Sequence, residues 1–253
     1  MYRILTVLFC LSSTNITKAA NIPINYIASS EEFVESIKRG EAVSDYIKIF
    51  EYAKEDELAN QLATDDQKKT FWLNVYNGFI QVILQNNPDL YNDRSAFFKL
   101  KQINVAGTML SFADIEHGII RHSQYELFMG YLTNPFPGSY ERKFRMDKRD
   151  YRVHFALNCG AKSCPPVAVY NIDKINSQLD KSTATYLRRV SKYKANENTV
   201  YTTSLFSWFR GDFGGIAGIK EILYDLKIIP QKDCMVKTSN YDWTLDLGNF
   251  VTL

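Results

Sequence analysis

Between Phe71 and Leu84 the chain is apolar almost without a break, and the exceptions, Asn74, Asn77 and Gln81, fall at i, i+3 and i+7. Apolar positions all round a helix predict a central, buried one, and amides along one stripe of it must find partners outside the helix. Thr64 and Gln67 have the spacing of a capping box that opens this helix, and Pro88 stops it. Upstream, Ser29 with Glu32 predicts the start of a short helix, and residues 44–62 a second helical region. Downstream, residues 101–105 read as a short strand turning at Gly107, and residues 111–121 as a helix. Pro135, Pro137 and Gly138 mark a loop, and the charge-rich residues 140–152 a solvated strand or hairpin. Val153, Phe155 and Leu157 then alternate with His154, Ala156 and Asn158. That period of two predicts a strand ending in Cys159, where Gly160 lets the chain turn. Residues 172–191 and 215–226 read as helices, 199–203 as a strand, and 236–250 as a closing strand with irregular ends. The succession predicts an α+β fold: one mixed domain over residues 20–253, its helix-rich N-terminal half packed on a small, mainly antiparallel sheet.

The first residues are expected to lie outside that fold. Arg3 precedes an apolar run over residues 4–11, and the small residues Thr17, Ala19 and Ala20 follow. This is the pattern of a signal peptide over residues 1–19, and the run is too short to span a bilayer. The expectation is an exported protein, periplasmic or secreted, with no stable membrane insertion after cleavage. Cleavage removes Arg3 and Lys18, so Lys+Arg falls from 30 to 28 against 28 Asp+Glu. A neutral mature chain lacks the basic excess of a nucleic-acid binder. The expected partner is therefore a small-molecule or peptide substrate.

Cys159, Cys164 and Cys234 remain after cleavage. An odd count leaves one thiol over. Cys159 with Cys164, or Cys164 with Cys234, are both open pairings, and the second leaves Cys159 free. The chain has three histidines. On a helix advancing 100° per residue, His122 sits at the edge of the Ile115/Ile119/Phe112 stripe, where a packed or helix-ending role is expected. His117 lies about 200° from Ile115 by the same count, on a polar face with Asp114 and Arg121. His154 and Cys159 point to opposite faces of a regular strand, which makes His154 a weak base for that thiol. A metal centre drawn from His117, His154, Cys159 and Cys164 is a lesser alternative, because Cys-x4-Cys is wider than the usual zinc knuckle. A dithiol redox pair would more often be Cys-x-x-Cys. No phosphate-binding glycine loop and no Gly-x-Ser-x-Gly elbow occurs, so no cofactor is expected. Asp242, in Tyr241-Asp-Trp243, belongs to a site or to a turn whose aromatics cover the core.

Five blocks together resemble a known family. They are Phe71-Trp-Leu-Asn-Val-Tyr-Asn77; Val105-Ala-Gly107 with Asp114-Ile-Glu-His-Gly-Ile-Ile-Arg121; His154-Phe-Ala-Leu-Asn-Cys-Gly-Ala-Lys-Ser-Cys-Pro-Pro166; Phe206-Ser-Trp-Phe-Arg-Gly-Asp-Phe213; and Tyr241-Asp-Trp-Thr-Leu245. In this order, over about residues 65–250, they resemble domain-of-unknown-function family 547, found in bacteria and plants and without an established activity. The last block departs from the family in ending Leu-Asp where Leu-Asn is commoner. Some similar proteins lack a match to Cys164 and keep matches to His117 and Cys159. The resemblance thus implies that Cys159 need not be half of a Cys159–Cys164 bridge, and it raises His117 above the other histidines.

The chemistry expected is that of a thiol-dependent hydrolase or acyl transferase acting on a peptide or amide. Cys159 is the expected nucleophile and His117 the base that generates thiolate from a group of ordinary pKa about 8.5. Asn77 is expected to orient the imidazole, with Glu116 or Asp242 as less favoured choices. The backbone N–H groups of Gly160 and Ala161 are expected to hold an oxyanion. The alternative is a non-enzymatic exported binding domain whose Asn, His and Cys side chains form a structural network.

Overall fold

The computed structural model describes residues 23–253. The signal peptide expected over residues 1–19 falls outside the described residues. The first part is helical: α1 Tyr26–Arg39, α2 Ser44–Glu51, α3 Glu55–Gln61, α4 Asp65–Asn86 and α5 Arg94–Lys99. A hairpin follows, β1 Ile103–Val105 and β2 Thr108–Leu110, its turn made by Gly107 at φ 74°. Next come α6 Ser139–Phe144 and α7 Ile175–Val190, then β3 Lys192–Lys194 and β4 Thr199–Thr202, and α8 Leu205–Trp208, α9 Gly215–Asp225 and β5 Met235–Thr238 close the order. β3 and β4 pair antiparallel and β4 and β5 parallel, so the single sheet expected is two small ones in an α+β domain.

α4 is the central helix. Its capping box is complete, Thr64 accepting from the Gln67 N–H and the Gln67 side chain accepting from the Thr64 N–H. Its side chains are buried nearly all round, and Phe71, Trp72 and Phe144 meet edge to face. Gly78 lets α1 come close, since a Cβ there would lie 2.3 Å from the Phe33 ring. The neighbouring amide stripe binds backbone. Asn74 donates to Tyr170 O at 2.8 Å and accepts from Tyr170 N–H at 3.0 Å. Asn77 donates to Ala156 O at 2.9 Å and accepts from Asn158 N–H at 2.8 Å. Gln81 accepts from Gly248 N–H at 2.8 Å.

Several local expectations are corrected. α1 starts earlier than Ser29, capped by Asn25, whose side chain accepts from Ala28 N–H. Residues 140–152 hold α6 in place of a strand or hairpin. The strand expected to end at Cys159 is a 3-10 helix, Tyr151–Phe155, followed by irregular chain. Asp150 caps it through Arg152 N–H, and Val153, His154 and Phe155 are all buried, so the apparent alternation does not sort an inside from an outside. Residues 111–121 are helical as expected, but Asp114–Ile120 is a π-helix, with Arg121 N–H bonded to Glu116 O. The closing segment forms only β5. The chain beyond it clasps the cysteine loop, Asp246 N–H donating to Gly160 O and Lys162 N–H to Thr244 O, both at 2.8 Å.

Two hydrophobic clusters result. One surrounds α4, and the other gathers Phe155, Tyr186, Leu205, Phe206, Phe213 and Leu223 around α7, α8 and α9. Replacing Asn77 with Ala strands the Ala156 carbonyl and the Asn158 N–H inside the protein. At about 1–3 kcal/mol for each buried group left unpaired, the variant is expected to lose on the order of 2–5 kcal/mol in urea unfolding. A loss under ~1 kcal/mol would show that this tie carries little of the fold.

Candidate functional site

A cleft of about 840 Å³ lies at the seam of the two clusters. That is within the usual range for small-molecule sites, roughly 300–1,000 Å³. Glu116, His117, His154 and Cys159 all line it. Tyr241, Trp243, Trp208 and Phe209 form an aromatic wall, in which the Trp208 and Trp243 rings stack with centroids 5.5 Å apart.

The two histidines are fixed from behind by one buried charge network. Asp212, on the turn after α8, has a carboxylate that is 4% exposed. It accepts from His154 Nε2–H at 2.8 Å and from Arg121 Nε–H at 2.7 Å, with Arg149 at 3.5 Å. Arg121, only 1% exposed, reaches the other way and donates from Nη1 to His117 Nδ1 at 2.7 Å. Its guanidinium also lies over the Phe209 ring, 4.4 Å from the centroid, while His154 stacks on the same ring at 4.2 Å. Burial works against ionisation of Asp212, but the His154 and Arg121 bonds outweigh it and hold the carboxyl below its ordinary value.

These partners decide the tautomers. A carboxylate only accepts, so neutral His154 carries its proton on Nε2 and keeps a lone pair on Nδ1. A guanidinium only donates, so His117 keeps its lone pair on Nδ1, facing Arg121, and carries its proton on Nε2. Both imidazoles are held below their ordinary pKa by burial, with Arg121 adding to the effect; Glu116 opposes it at His117, and the Asp212 bond opposes it at His154. Glu116 accepts from Tyr76 O–H at 3.2 Å and lies 3.8 Å from His117 Nδ1.

The cysteine end of the cleft is bridged. Cys159 and Cys164 form a disulfide with Cα atoms 6.0 Å apart, and among the described residues Cys234 is the one free cysteine and is buried. The expectation of a free Cys159 thiol is corrected for this state, and so is the Cys164–Cys234 alternative. Cys159 is partly exposed to the cleft, whereas Cys164 is fully buried. Cys164 Sγ accepts from Cys159 N–H at 3.1 Å, from Ala161 N–H at 3.3 Å and from Tyr241 O–H at 3.3 Å. Tyr241 Oη is also 3.4 Å from Cys159 Sγ.

Other assignments change with the geometry. Asn77 does not orient an imidazole, because its amide is used on Ala156 and Asn158. The Gly160 and Ala161 N–H groups are not a free oxyanion pair: the first donates to Asn158 Oδ1 at 3.0 Å and the second to Cys164. Asp242 is exposed and its carboxylate caps Thr244 N–H, away from both histidines. His117 is not presented as a base, since Arg121 occupies its lone pair. His154, discounted on strand geometry, borders the same cleft as Cys159 because there is no strand. His122 ends its helix at φ 57° and bonds the Met146 carbonyl at 2.6 Å. Among the described residues, no group of three or more His, Cys, Asp and Glu side chains is arranged to hold a metal ion.

The family described as "Protein of unknown function, DUF547" matches residues 60–187, half of the chain. The protein belongs to the DUF547 family. No curated protein and no solved structure matches it. The matched residues of the DUF547 domain carry α4, the π-helix with His117 and Arg121, and the His154-to-Cys164 segment. Asp212, which bonds His154 from behind, and Tyr241, which lines the cleft, lie beyond them. Reading the sequence alone passed over both. The signal is present in the sequence, because each stands in one of the last two resemblance blocks.

The buried imidazoles make stability depend on pH. Unfolded histidines take up protons near 6.5, and these two do so only at lower pH when folded. Their contribution is therefore complete above pH 6.5 and is lost as pH falls from there toward the folded values. A Tm series is expected to decline below about pH 6.5, ahead of carboxylate titration near 4, and less steeply in His117→Gln. A flat Tm down to about pH 5 would contradict the neutral assignment.

Proposed function

We propose that the protein is an exported thiol-dependent hydrolase or acyl transferase acting on a peptide or amide, with Cys159 as the nucleophile once it is released from Cys164. What supports this is the convergence of Cys159, His154 and His117 on one cleft, with both imidazoles neutral: the Asp212 bond leaves His154 a free lone pair, and the Arg121 bond leaves His117 a free N–H. The roles follow from the tautomers. His154, with a lone pair on Nδ1 and Asp212 behind it, takes the Cys159 proton and returns it to the leaving amine. Asp212 is a positioning residue that fixes the ring and stabilises the imidazolium formed. His117 offers Nε2–H to the carbonyl oxygen as negative charge develops there, a use of a neutral histidine as donor. Water or an amine then releases the acyl group from sulfur. The aromatic wall supplies apolar area for the substrate, and export rests on the leader-like residues 1–19.

The bridge itself favours a second reading, a non-enzymatic binding domain. A disulfide in an exported protein is commonly structural, and with it closed the aromatic cleft holds a ligand without attacking it.

The test is acyl transfer from a chromogenic ester or amide to reduced protein, followed by intact mass. The expected result is acylation on Cys159, abolished in Cys159→Ser and slowed about 10²–10⁴-fold in His154→Asn. Unchanged turnover in Cys159→Ser, or none in the reduced wild type across a panel of acyl donors, overturns the enzymatic reading in favour of binding.

A further inference from the structure

The Cys159–Cys164 bridge is built asymmetrically. One sulfur borders the cleft, and the other is sealed and surrounded by donors. We infer that this disulfide is a thiol-exchange centre, in which a small thiol entering the cleft attacks Cys159 and Cys164 departs as a buried, hydrogen-bonded thiolate.

Access sets which sulfur is attacked. Cys159 is partly exposed on the cleft wall and Cys164 is fully buried, so a nucleophile arriving from solvent meets Cys159 first. Donors set which sulfur leaves. A disulfide sulfur is a weak acceptor, whereas a thiolate is an ionised one, and hydrogen bonds to ionised acceptors are about twice as strong. The Cys159 and Ala161 N–H groups and the Tyr241 hydroxyl therefore stabilise Cys164 more after cleavage than before it. A leaving thiol held in its thiolate form leaves faster. Burial pushes the Tyr241 pKa up, so this hydroxyl keeps its proton and remains a donor.

The loop also survives the loss of the bridge. Asn158 donates to Pro165 O at 2.7 Å and accepts from Gly160 N–H at 3.0 Å. Residues 244 and 246 pin the same loop from outside. These bonds close the turn independently of sulfur, so opening the bridge leaves the donors facing Cys164.

The chemistry balances as two exchanges. A thiolate RS⁻ attacks Cys159 Sγ; the new S–S bond forms on Cys159, the Cys159–Cys164 bond breaks, and its electron pair stays on Cys164. A second RS⁻ attacks the mixed disulfide, forming RSSR and freeing the Cys159 thiolate. Two small thiolates are oxidised to one disulfide and the protein gains two electrons; the Cys159 thiolate, which faces the cleft, takes one proton from solvent, and Cys164 stays a thiolate. That this step switches acyl transfer on and off rests on the proposed function; the exchange itself does not.

Glutathione is the probe. Folded wild-type protein is incubated in graded glutathione, quenched with an alkylating agent and weighed intact, with circular dichroism followed in parallel. The expected result is reduction of the bridge with the fold retained. Tyr241→Phe is expected to reduce at least about tenfold more slowly, through loss of a bond to a forming anion. Single-cysteine trapping gives a readout that does not depend on Tyr241→Phe folding well. With glutathione disulfide, Cys164→Ser is expected to form a mixed disulfide on Cys159, and Cys159→Ser to form none on Cys164. Reduction only under denaturant, or equal trapping at both sulfurs, overturns the inference. Exchange without acyl transfer leaves it standing and removes the hydrolase, whereas acyl transfer from protein that glutathione does not open in the folded state does the reverse.

Discussion

A row of carboxamides on α4 positions the rest of the molecule. Asn74, Asn77 and Gln81 sit inside the protein, where an unpaired amide is costly, and each meets that demand by bonding the backbone of a segment with no regular structure of its own. The chain around residues 156–158 and 170 thereby finds partners that a sheet would otherwise supply. A side-chain amide carries the same donor and acceptor as a peptide group, so α4 acts as a short strand edge while keeping its own helical bonds. This explains how a cysteine loop and a buried histidine are held firmly with so little β structure.

The second constraint is electrostatic. Burying Arg121 and Asp212 together costs desolvation on both, and the pair is viable because each has further partners: His117 and the Phe209 face for the guanidinium, His154 and Arg149 for the carboxylate. The two imidazoles complete the network without adding charge to it. Protonating either one would place a second cation beside Arg121, and that is why burial and the guanidinium push both pKa values in the same direction. The π-helix contributes the register. Its wider turn brings Arg121 back over Asp212 and leaves Glu116 and His117 on the cleft side.

Much of the fold was legible from local pattern. α4, its capping box and its polar stripe follow directly from apolar periodicity, as do α7, α9, β4 and the Gly107 turn, because each is a local solution to burying one face. The reading failed at Tyr151–Phe155, where alternation suggested a strand. There both sets of alternating residues are buried, Val153, Ala156 and Leu157 in one cluster and Phe155 in the other, and a period of two has no meaning when there is no solvent side. That failure carried into the site. It put His154 and Cys159 on opposite faces and discounted the histidine that shares the cleft with the thiol. Asp212 and Tyr241 were missed for a different reason: their roles are set by partners about 60 and 80 residues away, and no local pattern reports a contact across that separation.

Two sets of side-chain bonds meet at the cleft, linked through Tyr76 on Glu116 and Asn77 on Ala156. Cys159 and its neighbours hang from α4 through Asn77, Asn158 and Gln81, with the C-terminal segment clasped over them. The two imidazoles hang from Arg121 and Asp212, which are rooted in the π-helix and the turn after α8. A bond made or broken at sulfur does not have to pass through the charge network to be accommodated, since Asn158 and the clasp hold the loop by themselves. Conversely, a change in protonation at the histidines does not have to move the loop. Chemistry at the one end and proton control at the other can then vary separately while facing the same volume, which a site built on a single strand end would not allow.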